Sequence, residues 1–333
     1  MRGIDVHTHF VPENFLELPA SVPAAGWPSM RAAEQCCHRH VMIDDKVYRT
    51  VSDQCWSAPK RISDMEVMNI GRQVLSPMPE LLSYWLSAHD AQQLLRNLNE
   101  QIAAVVHGAP ERFSGLGAVP LQDVDLAITE LEYCARELGL SGVELGSNIN
   151  GKLIGAPEFD PFFAAAAALD MAVFVHAIRP AGLERLVGPP SLEQVLAFPG
   201  EVGLSAASAI TSNLLVRHPR LRLGFSHGGG ALGLILPRLA HGASVLPPVR
   251  DMLLEAPHKQ ARKFFYDSLV YDAPTLRHLV DTFGAESMML GTDYPFTIRE
   301  QDPVGRLAEA GFDETTTDLL LHRNAARFLN REG

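Results

Sequence analysis

Gly3-Ile4-Asp5-Val6-His7-Thr8-His9, at the start of the chain, is an apolar run that ends on two histidines separated by one residue. This pattern predicts a β-strand, whose side chains alternate between two faces, so His7 and His9 project from the same face. Two imidazoles on one face at a strand end can hold one side of a metal ion. The remaining ligands are then expected at the ends of later strands.

Short apolar runs alternate with longer helical patterns along most of the chain. Runs such as Met171-Ala-Val-Phe-Val-His176 are apolar throughout, which is typical of strands buried on both faces of a parallel sheet. The predicted strands are 3–9, 71–76, 114–119, 141–146, 171–176, 221–227, 264–269 and 287–292. The predicted helices are 89–106, 123–138, 159–169, 203–217, 231–242, 273–283 and 315–329. Eight strands alternating with helices predict an α/β fold of the (β/α)8, TIM-barrel type.

One segment, residues 10–58, does not follow this alternation. Within it, His40-Val-Met-Ile-Asp-Asp-Lys-Val-Tyr-Arg-Thr-Val51 contains two β-rich runs around Asp44-Asp45-Lys46, which predicts a hairpin. An insertion after the first strand lies over the face where barrel enzymes perform their chemistry, so we expect a lid there. The prediction is therefore one barrel domain over 1–333 with residues 10–58 as its lid insertion.

Composition and charge exclude several kinds of partner. The chain has 333 residues, is 47% hydrophobic and carries a formal net charge of −11 without a basic run, which argues against nucleic acid and anionic membranes. No apolar stretch is long enough to cross a membrane, and the first residues lack the pattern of a signal peptide. Four cysteines are too few for a disulfide framework in a chain of this length. We expect a cytoplasmic protein.

Polar residues at the ends of the predicted strands form a metal-binding pattern. His176 ends strand five, His227 ends strand six and Asp293 ends strand eight. Together with His7 and His9 they point to one barrel mouth, where three imidazoles and a carboxylate make a catalytic site of the zinc type. Each histidine taken alone is more often a core or capping residue, but the set at matching strand ends favours metal. His227 is better assigned as the acid or base, because imidazole titrates near neutrality.

Several motifs in this order resemble those of a known family. They are His7-Thr-His9, Val-Phe-Val-His176, His227-Gly-Gly-Gly230 and Gly291-Thr-Asp293-Tyr-Pro-Phe296. The chain resembles the amidohydrolase superfamily and, within it, the branch of aminocarboxymuconate-semialdehyde decarboxylases. The likeness covers nearly the whole chain. It implies a zinc ion on His7, His9, His176 and Asp293, with His227 as the catalytic residue and with Arg49 and Arg238 binding substrate carboxylates. In the mechanism that we expect, Asp293 shares the proton transfer with His227 while it binds the metal.

The two arginines differ in how easily they reach the site. Arginine offers a planar fork of donors that matches a carboxylate. Arg49 lies on the predicted hairpin, over the mouth. Arg238 lies seven residues into the helix that begins near Ala231, about 10 Å from the mouth at roughly 1.5 Å per residue. The resemblance therefore implies a homodimer in which Arg238 acts on the partner's site; for either arginine, a surface ion pair is the alternative.

The strand-five loop departs from the family pattern. Here it reads His176-Ala177-Ile178-Arg179-Pro180, without the family's aromatic residue. Arg179 either adds an anion contact or pairs with a surface carboxylate. Trp85 and Phe296 either line an apolar substrate pocket or pack in the core. Strand four, Gly142-Val-Glu144-Leu-Gly146, has no lysine to bridge a second metal, so one ion is expected, zinc or alternatively manganese; the orientation of Glu144 stays open.

These observations predict a metal-dependent, non-oxidative decarboxylase. Its substrate is expected to be a small conjugated or aromatic carboxylic acid with a hydroxy, amino or enamine group beside the carboxylate that leaves. The alternative on the same site is hydrolysis of a lactone or amide, because fold alone does not determine function. A third alternative is a barrel that binds a ligand without catalysis, against which the complete ligand set and His227 argue.

Overall fold

Eight parallel strands form a nearly closed barrel in the computed structural model, which describes residues 2–19 and 25–330. The strands are β1 (Gly3–Phe10), β2 (Ser29–Ala32), β3 (His38–Ile43), β4 (Lys46–Ser52), β5 (Ile70–Pro77), β6 (Phe113–Ala118), β7 (Gly142–Gly146), β8 (Asn148–Ile149), β9 (Lys152–Leu153), β10 (Ala172–His176), β11 (Arg222–Phe225), β12 (Phe265–Asp267) and β13 (Met288–Met289). Their order around the barrel is β1-β5-β6-β7-β10-β11-β12-β13. This confirms the predicted (β/α)8 fold.

The barrel closes between its first and last strands through backbone hydrogen bonds. Val6 N donates to Leu290 O at 2.9 Å, and His9 N donates to Tyr294 O at 2.7 Å. In the other direction, Asp293 N donates to His7 O at 2.9 Å. The residues after β13 thus continue along β1, which places Asp293 beside the two histidines of that strand.

Helices surround the barrel in the predicted alternation. They are α1 (Ala58–Val67), α2 (Ala88–Gly108), α3 (Val124–Arg136), α4 (Asp160–Ala168), α5 (Phe198–Thr211), α6 (Leu214–Arg217), α7 (Leu232–Val245), α8 (Pro247–Met252), α9 (Pro257–Ala261), α10 (Ala273–Phe283), α11 (Pro303–Ala310), α12 (Glu314–Asp318) and α13 (Asn324–Phe328). The predicted helix 203–217 is in fact α5 and α6, because Asn213 adopts a left-handed backbone between them. In the part of the chain that the structure describes, no helix combines the length and the apolar character that crossing a bilayer requires.

Four of the predicted strands end earlier than expected, and two of these were predicted to carry site residues. The prediction 221–227 corresponds to β11, which ends at Phe225, and 287–292 corresponds to β13, which ends at Met289. After β11 the backbone turns away, since His227 and the three following glycines all have positive φ. After β13, Leu290 N donates to Leu320 O instead of to a neighbouring strand, at 3.0 Å. His227 and Asp293 therefore lie on loops just beyond their strands.

Apolar side chains fill the barrel below its mouth. The interior cluster contains Val6, Val74, Leu116, Phe174 and Met289, all completely buried. A larger cluster packs the outer faces of the strands against the helices. Because the interior is closed by this packing, the polar residues at the carboxyl ends of the strands form the floor of a pocket that opens on one side only.

The segment between β1 and α1 forms a small antiparallel sheet in the order β2-β3-β4. In its hairpin Ile43 pairs with Lys46, and the two turn residues Asp44 and Asp45 have φ of 52° and 59°. Two successive residues in this region make the type of tight turn that suits the twist of a hairpin, and aspartate tolerates it. The sheet brings Arg49, on β4, towards the barrel mouth. Residues 20–24 of the predicted lid lie outside the described residues.

Candidate active site

Three histidines direct one ring nitrogen each to a common point at the mouth of the barrel. His7 Nδ1 lies 2.6 Å from an oxygen of Asp267, His9 Nδ1 lies 3.3 Å from Pro77 O, and His176 Nδ1 lies 2.8 Å from Ala177 O. Each of these partners is an acceptor, so the three Nδ1 atoms carry the protons. Nε2 is consequently the nitrogen that each ring offers to a metal ion, once any proton on it is released.

Asp293 completes this cluster. Its Oδ1 lies 2.8 Å from His9 Nε2 and 3.6 Å from His7 Nε2, and the two Nε2 atoms are 3.1 Å apart. The possible ligand atoms of His7, His9, His176 and Asp293 all lie within 4.8 Å of one another, and all four residues are buried.

The donor set fits one metal ion. The Nε2 atom of His176 is buried and has no hydrogen-bond partner among the described residues, and a bound cation would satisfy it. Three neutral imidazoles and one carboxylate match the ligands of a catalytic zinc or a related divalent ion. The predicted metal-binding site is therefore present.

Burial and charge shift the pKa values of these residues in different directions. Burial lowers the pKa of His176 well below its usual value, with the nearby imidazoles adding to the effect. Burial also opposes the charged form of His7, but the hydrogen bond and charge of Asp267 outweigh it and raise its pKa to about 9. For Asp293, the hydrogen bond from His9 and the charges of His9 and His7 overcome desolvation and lower the pKa. Metal binding at His7 is thus coupled to proton release.

Asp267, at the end of β12, organises the site and was missed by sequence analysis. One of its oxygens lies 2.6 Å from His7 Nδ1 and accepts from His227 N at 3.0 Å. The other accepts from Gly228 N at 2.8 Å and from Leu269 N at 3.1 Å. It thus fixes the ring of a metal ligand and the backbone of the His227 loop together. Its position at the end of the seventh strand, Phe265-Tyr-Asp267, was a signal that could have identified it.

His227 faces the same mouth from the loop after β11. Its Nδ1 lies 2.9 Å from Ser226 Oγ, its ring centroid is 4.9 Å from that of His176, and its backbone has a left-handed φ of 54°. Such a backbone in a non-glycine residue is uncommon and is found preferentially at functional sites. Burial, reinforced by the charge of His7, lowers the pKa of His227 to about 4, so the imidazole is neutral at neutral pH and able to accept a proton.

A cavity of about 300 Å³ opens above the cluster. Its lining includes His176, His227 and Asp293 on the floor, with Arg49 and Phe296 on the wall. The Phe296 ring stacks on the His9 ring with centroids 4.9 Å apart, and the Arg49 guanidinium lies 4.3 Å from the Phe296 centroid. The structure thus places two of the predicted substrate-binding residues directly over the predicted metal ligands.

The other three predicted substrate-binding residues lie elsewhere. Arg179 and Trp85 line an adjacent cavity of about 250 Å³, where the guanidinium stacks 3.9 Å from the indole centroid. Arg238 is exposed on α7 and does not line the cavity above the metal ligands. As the sequence predicted, this arginine does not reach the site of its own chain.

Glu144 points into the barrel beneath the metal ligands, which answers the question of its orientation. It pairs with Phe174 of the interior cluster across the β7–β10 ladder and is completely buried. Burial raises its pKa to about 8.

Comparison with known proteins identifies the family. Residues 4–331 match the amidohydrolase family. The chain belongs to this family. It is 37% identical over 332 residues to the 2-amino-3-carboxymuconate-6-semialdehyde decarboxylase of Dictyostelium discoideum, an alignment that covers 98% of this chain and 91% of the relative. The resemblance inferred from the motifs is confirmed.

Solved structures of other decarboxylases share the fold of this amidohydrolase. The 5-carboxyvanillate decarboxylase LigW of Sphingomonas paucimobilis superposes with a TM-score of 0.75 at 26% identity, over 81% of this chain and 82% of that one. A 5-carboxyvanillate decarboxylase of Novosphingobium aromaticivorans, complexed with manganese and a nitrobenzoic acid, superposes with a TM-score of 0.74 at 22% identity, over 84% and 82% of the two chains.

Proposed function

We propose that this amidohydrolase is a metal-dependent, non-oxidative decarboxylase of a small conjugated or aromatic carboxylic acid. The main support is the convergence of three Nε2 atoms and one carboxylate on a single point, with His227 and Arg49 facing the same cavity. The decarboxylase relatives agree with this function and disfavour the hydrolase alternative. A non-catalytic barrel would have no need of this site.

The donor chemistry supports a single zinc ion as the cofactor, held by His7, His9, His176 and Asp293. Manganese is the alternative, because this ligand set accepts it and the Novosphingobium relative binds it. When bound, the ion supplies a positive charge that orients the anionic substrate and stabilises developing negative charge.

The residues around the ligands then have distinct roles. Arg49 binds a substrate carboxylate with its planar fork, and Phe296 packs against the flat face of the substrate. His227 takes a proton from solvent at Nε2 and delivers it to the carbon that bears the departing carboxylate; Asp293 assists this proton transfer. Protonation of that carbon interrupts the conjugation. The carbon–carbon bond then breaks, its electron pair restores the conjugation, and CO2 leaves.

The β2-β3-β4 sheet acts as a lid on the single barrel domain in this proposal. Arg49 lies on its last strand, half-buried, and the buried side chains of Val41 and Val51 anchor the sheet to the main core. A lid that supplies a substrate-binding arginine excludes water from the cavity when the substrate is bound.

We further propose a homodimer in which Arg238 enters the partner's cavity. Arg238 forms no hydrogen bond or ion pair with any residue in 2–19 or 25–330, and Leu234, one turn before it, is 78% exposed. An exposed apolar side chain beside an unpaired arginine favours an interface. The free Cys36 and Cys37, both exposed, fit a reducing compartment and hence the cytoplasm.

Turnover of a defined substrate tests the proposed function. Zinc-loaded protein is mixed with freshly generated 2-amino-3-carboxymuconate-6-semialdehyde, 5-carboxyvanillate or a hydroxybenzoate, and loss of absorbance is followed together with CO2 release. We expect CO2 in equal amount to the substrate consumed, and no reaction after treatment with a chelator. Absence of CO2 from every such acid with metal-replete protein would refute the decarboxylase function.

Mixing two inactive variants tests the shared site. Arg49→Gln and Arg238→Gln each remove one arginine, so a mixed dimer contains one complete site. We expect partial recovery of activity on mixing, as well as a dimer by light scattering. No recovery after proven exchange of subunits would show that Arg238 does not act on the partner.

A further inference from the structure

Glu80 is a charged residue on the wall of the metal cavity that the proposed mechanism does not use. It follows β5 in a short turn of 3-10 helix, Pro79–Leu82, and lines both the metal cavity and the adjacent cavity. Its side chain is 14% exposed. Sequence analysis gave no signal for it, because it belongs to no motif.

One oxygen of the Glu80 carboxylate has hydrogen-bond partners and the other has none among the described residues. Oε1 accepts a hydrogen bond from Tyr48 OH at 2.6 Å and a longer one from Arg49 Nη2 at 3.5 Å. Oε2 is buried and has no hydrogen-bond partner among the described residues. A buried carboxylate oxygen without a partner is costly, so its presence on a cavity wall indicates a donor that arrives with the ligand.

A second carboxylate makes this wall acidic. Glu193, which begins a π-helical turn, lines the adjacent cavity with Glu80. Burial, together with the charge of Glu80, raises the pKa of Glu193, as expected for two carboxylates close together. A substrate carboxylate placed against this wall would meet like charge, whereas a hydroxyl or amino group would donate to it.

We propose that Glu80 forms a donor-binding subsite that selects the substituent beside the departing carboxylate. The substrate is then an acid that presents a hydroxyl or amino group to Glu80, and an acid with a second carboxylate at that position is disfavoured. This inference rests on the proposed function, because the metal and Arg49 must hold the departing carboxylate. Tyr48 positions the subsite by holding Oε1.

Three benzoate probes that differ in one ortho substituent test the subsite. They are 2-hydroxybenzoate, 2-methoxybenzoate and phthalate, which offer a donor, an ether and a carboxylate at the position beside the departing carboxylate. Dissociation constants are measured by calorimetry with the metal-loaded, full-length protein. We expect the wild type to bind the first probe at least about 10-fold more tightly than either of the others, because only the hydroxyl satisfies the carboxylate of Glu80.

The substitution Glu80→Gln removes the charge and keeps the shape. We expect it to reduce the preference for 2-hydroxybenzoate over phthalate to within about threefold, with unchanged metal content. Glu193→Gln should reduce the same preference less, and it serves as the second test if Glu80→Gln does not fold. Glu184→Gln, at an exposed glutamate near the same face, is the control and should leave the preference unchanged.

The outcomes separate this inference from the proposed function. If Glu80→Gln keeps the wild-type preference, or if the wild type binds all three probes equally, Glu80 is not a donor subsite. If the wild type binds none of the probes and releases no CO2 from any acid tested, the proposed function itself is wrong.

Discussion

Asp267→Asn tests whether one buried carboxylate organises the metal centre. The aspartate holds His7 Nδ1 and His227 N on one oxygen, and Gly228 N and Leu269 N on the other. Asparagine retains a single acceptor oxygen. If that oxygen stays with the two loop amides, its NH2 group faces the Nδ1–H of His7. The His7 ring then favours the tautomer with a proton on Nε2, the nitrogen required for the metal.

The magnitude follows from these contacts. Loss of an outer partner of a metal-binding histidine commonly weakens metal binding by about 10- to 100-fold, which is about 1.4 to 2.7 kcal/mol. Two hydrogen bonds to a buried charge are also lost, so we expect the free energy of unfolding to fall by about 3 kcal/mol or more. The carboxylate has a lowered pKa, because the hydrogen bond and charge of His7 outweigh its desolvation, and it is ionised at neutral pH.

Competition with a chelator measures the zinc dissociation constant, and urea titration measures the free energy of unfolding. Asp251→Asn, at an exposed aspartate beside Arg250, is the matched control and should change neither quantity. A zinc dissociation constant within threefold of the wild type, in a folded Asp267→Asn variant, would refute the role assigned to this carboxylate.

Three further substitutions test the proton transfer by His227, the substrate binding by Arg49 and the buried carboxylate of Glu144. His227→Asn should keep the metal content, measured by elemental analysis, and lower the rate of CO2 release at least about 100-fold, since proton transfer loses its carrier; near-normal turnover would contradict its assignment. Arg49→Gln should raise KM at least about 10-fold with metal content unchanged, and loss of metal instead would mean that its role is structural. Glu144→Gln should flatten the pH dependence of stability in the metal-free protein, since burial raises the pKa of Glu144 from 4.5 to about 8. Between these two pH values the folded protein keeps a proton on Glu144 that the unfolded chain releases, so the free energy of unfolding falls as the pH rises. From pH 5 to pH 8 we expect the wild type to lose about 3 kcal/mol more of this free energy than the variant. Parallel urea curves at the two pH values would contradict this.

The eight barrel strands were predictable because burial on both faces requires apolar runs, and these runs are visible in the sequence. Four helices escaped prediction, α1, α8, α9 and α11. α8 and α9 have six and five residues, less than two turns each. The end of β13 at Met289 also escaped, because it depends on a hydrogen bond from Leu290 to the distant Leu320.

The candidate site was partly predictable for a similar reason. His7, His9 and His176 lie at strand ends, and parallel strands in a barrel bring their carboxyl ends together. Asp267 occupies the same kind of position but was missed, because the predicted strand 264–269 runs two residues past it, whereas β12 ends at Asp267. Glu80 could not have been found in this way, because it follows β5 on a turn whose direction is determined by tertiary packing.

The barrel, the family and the residue types at the mouth can be recognised from the sequence alone. These follow from hydrophobic periodicity and from short motifs, which are local properties of the chain. The packing of the folded chain, by contrast, establishes that Nδ1 of His9 faces Pro77 O, that Asp267 holds His7, and that Glu80 stands beside Arg49 on the wall of the cavity. Each of these facts is a contact of a few ångströms between segments far apart in sequence. Such contacts depend on how helices, loops and strands pack, and no local pattern encodes them.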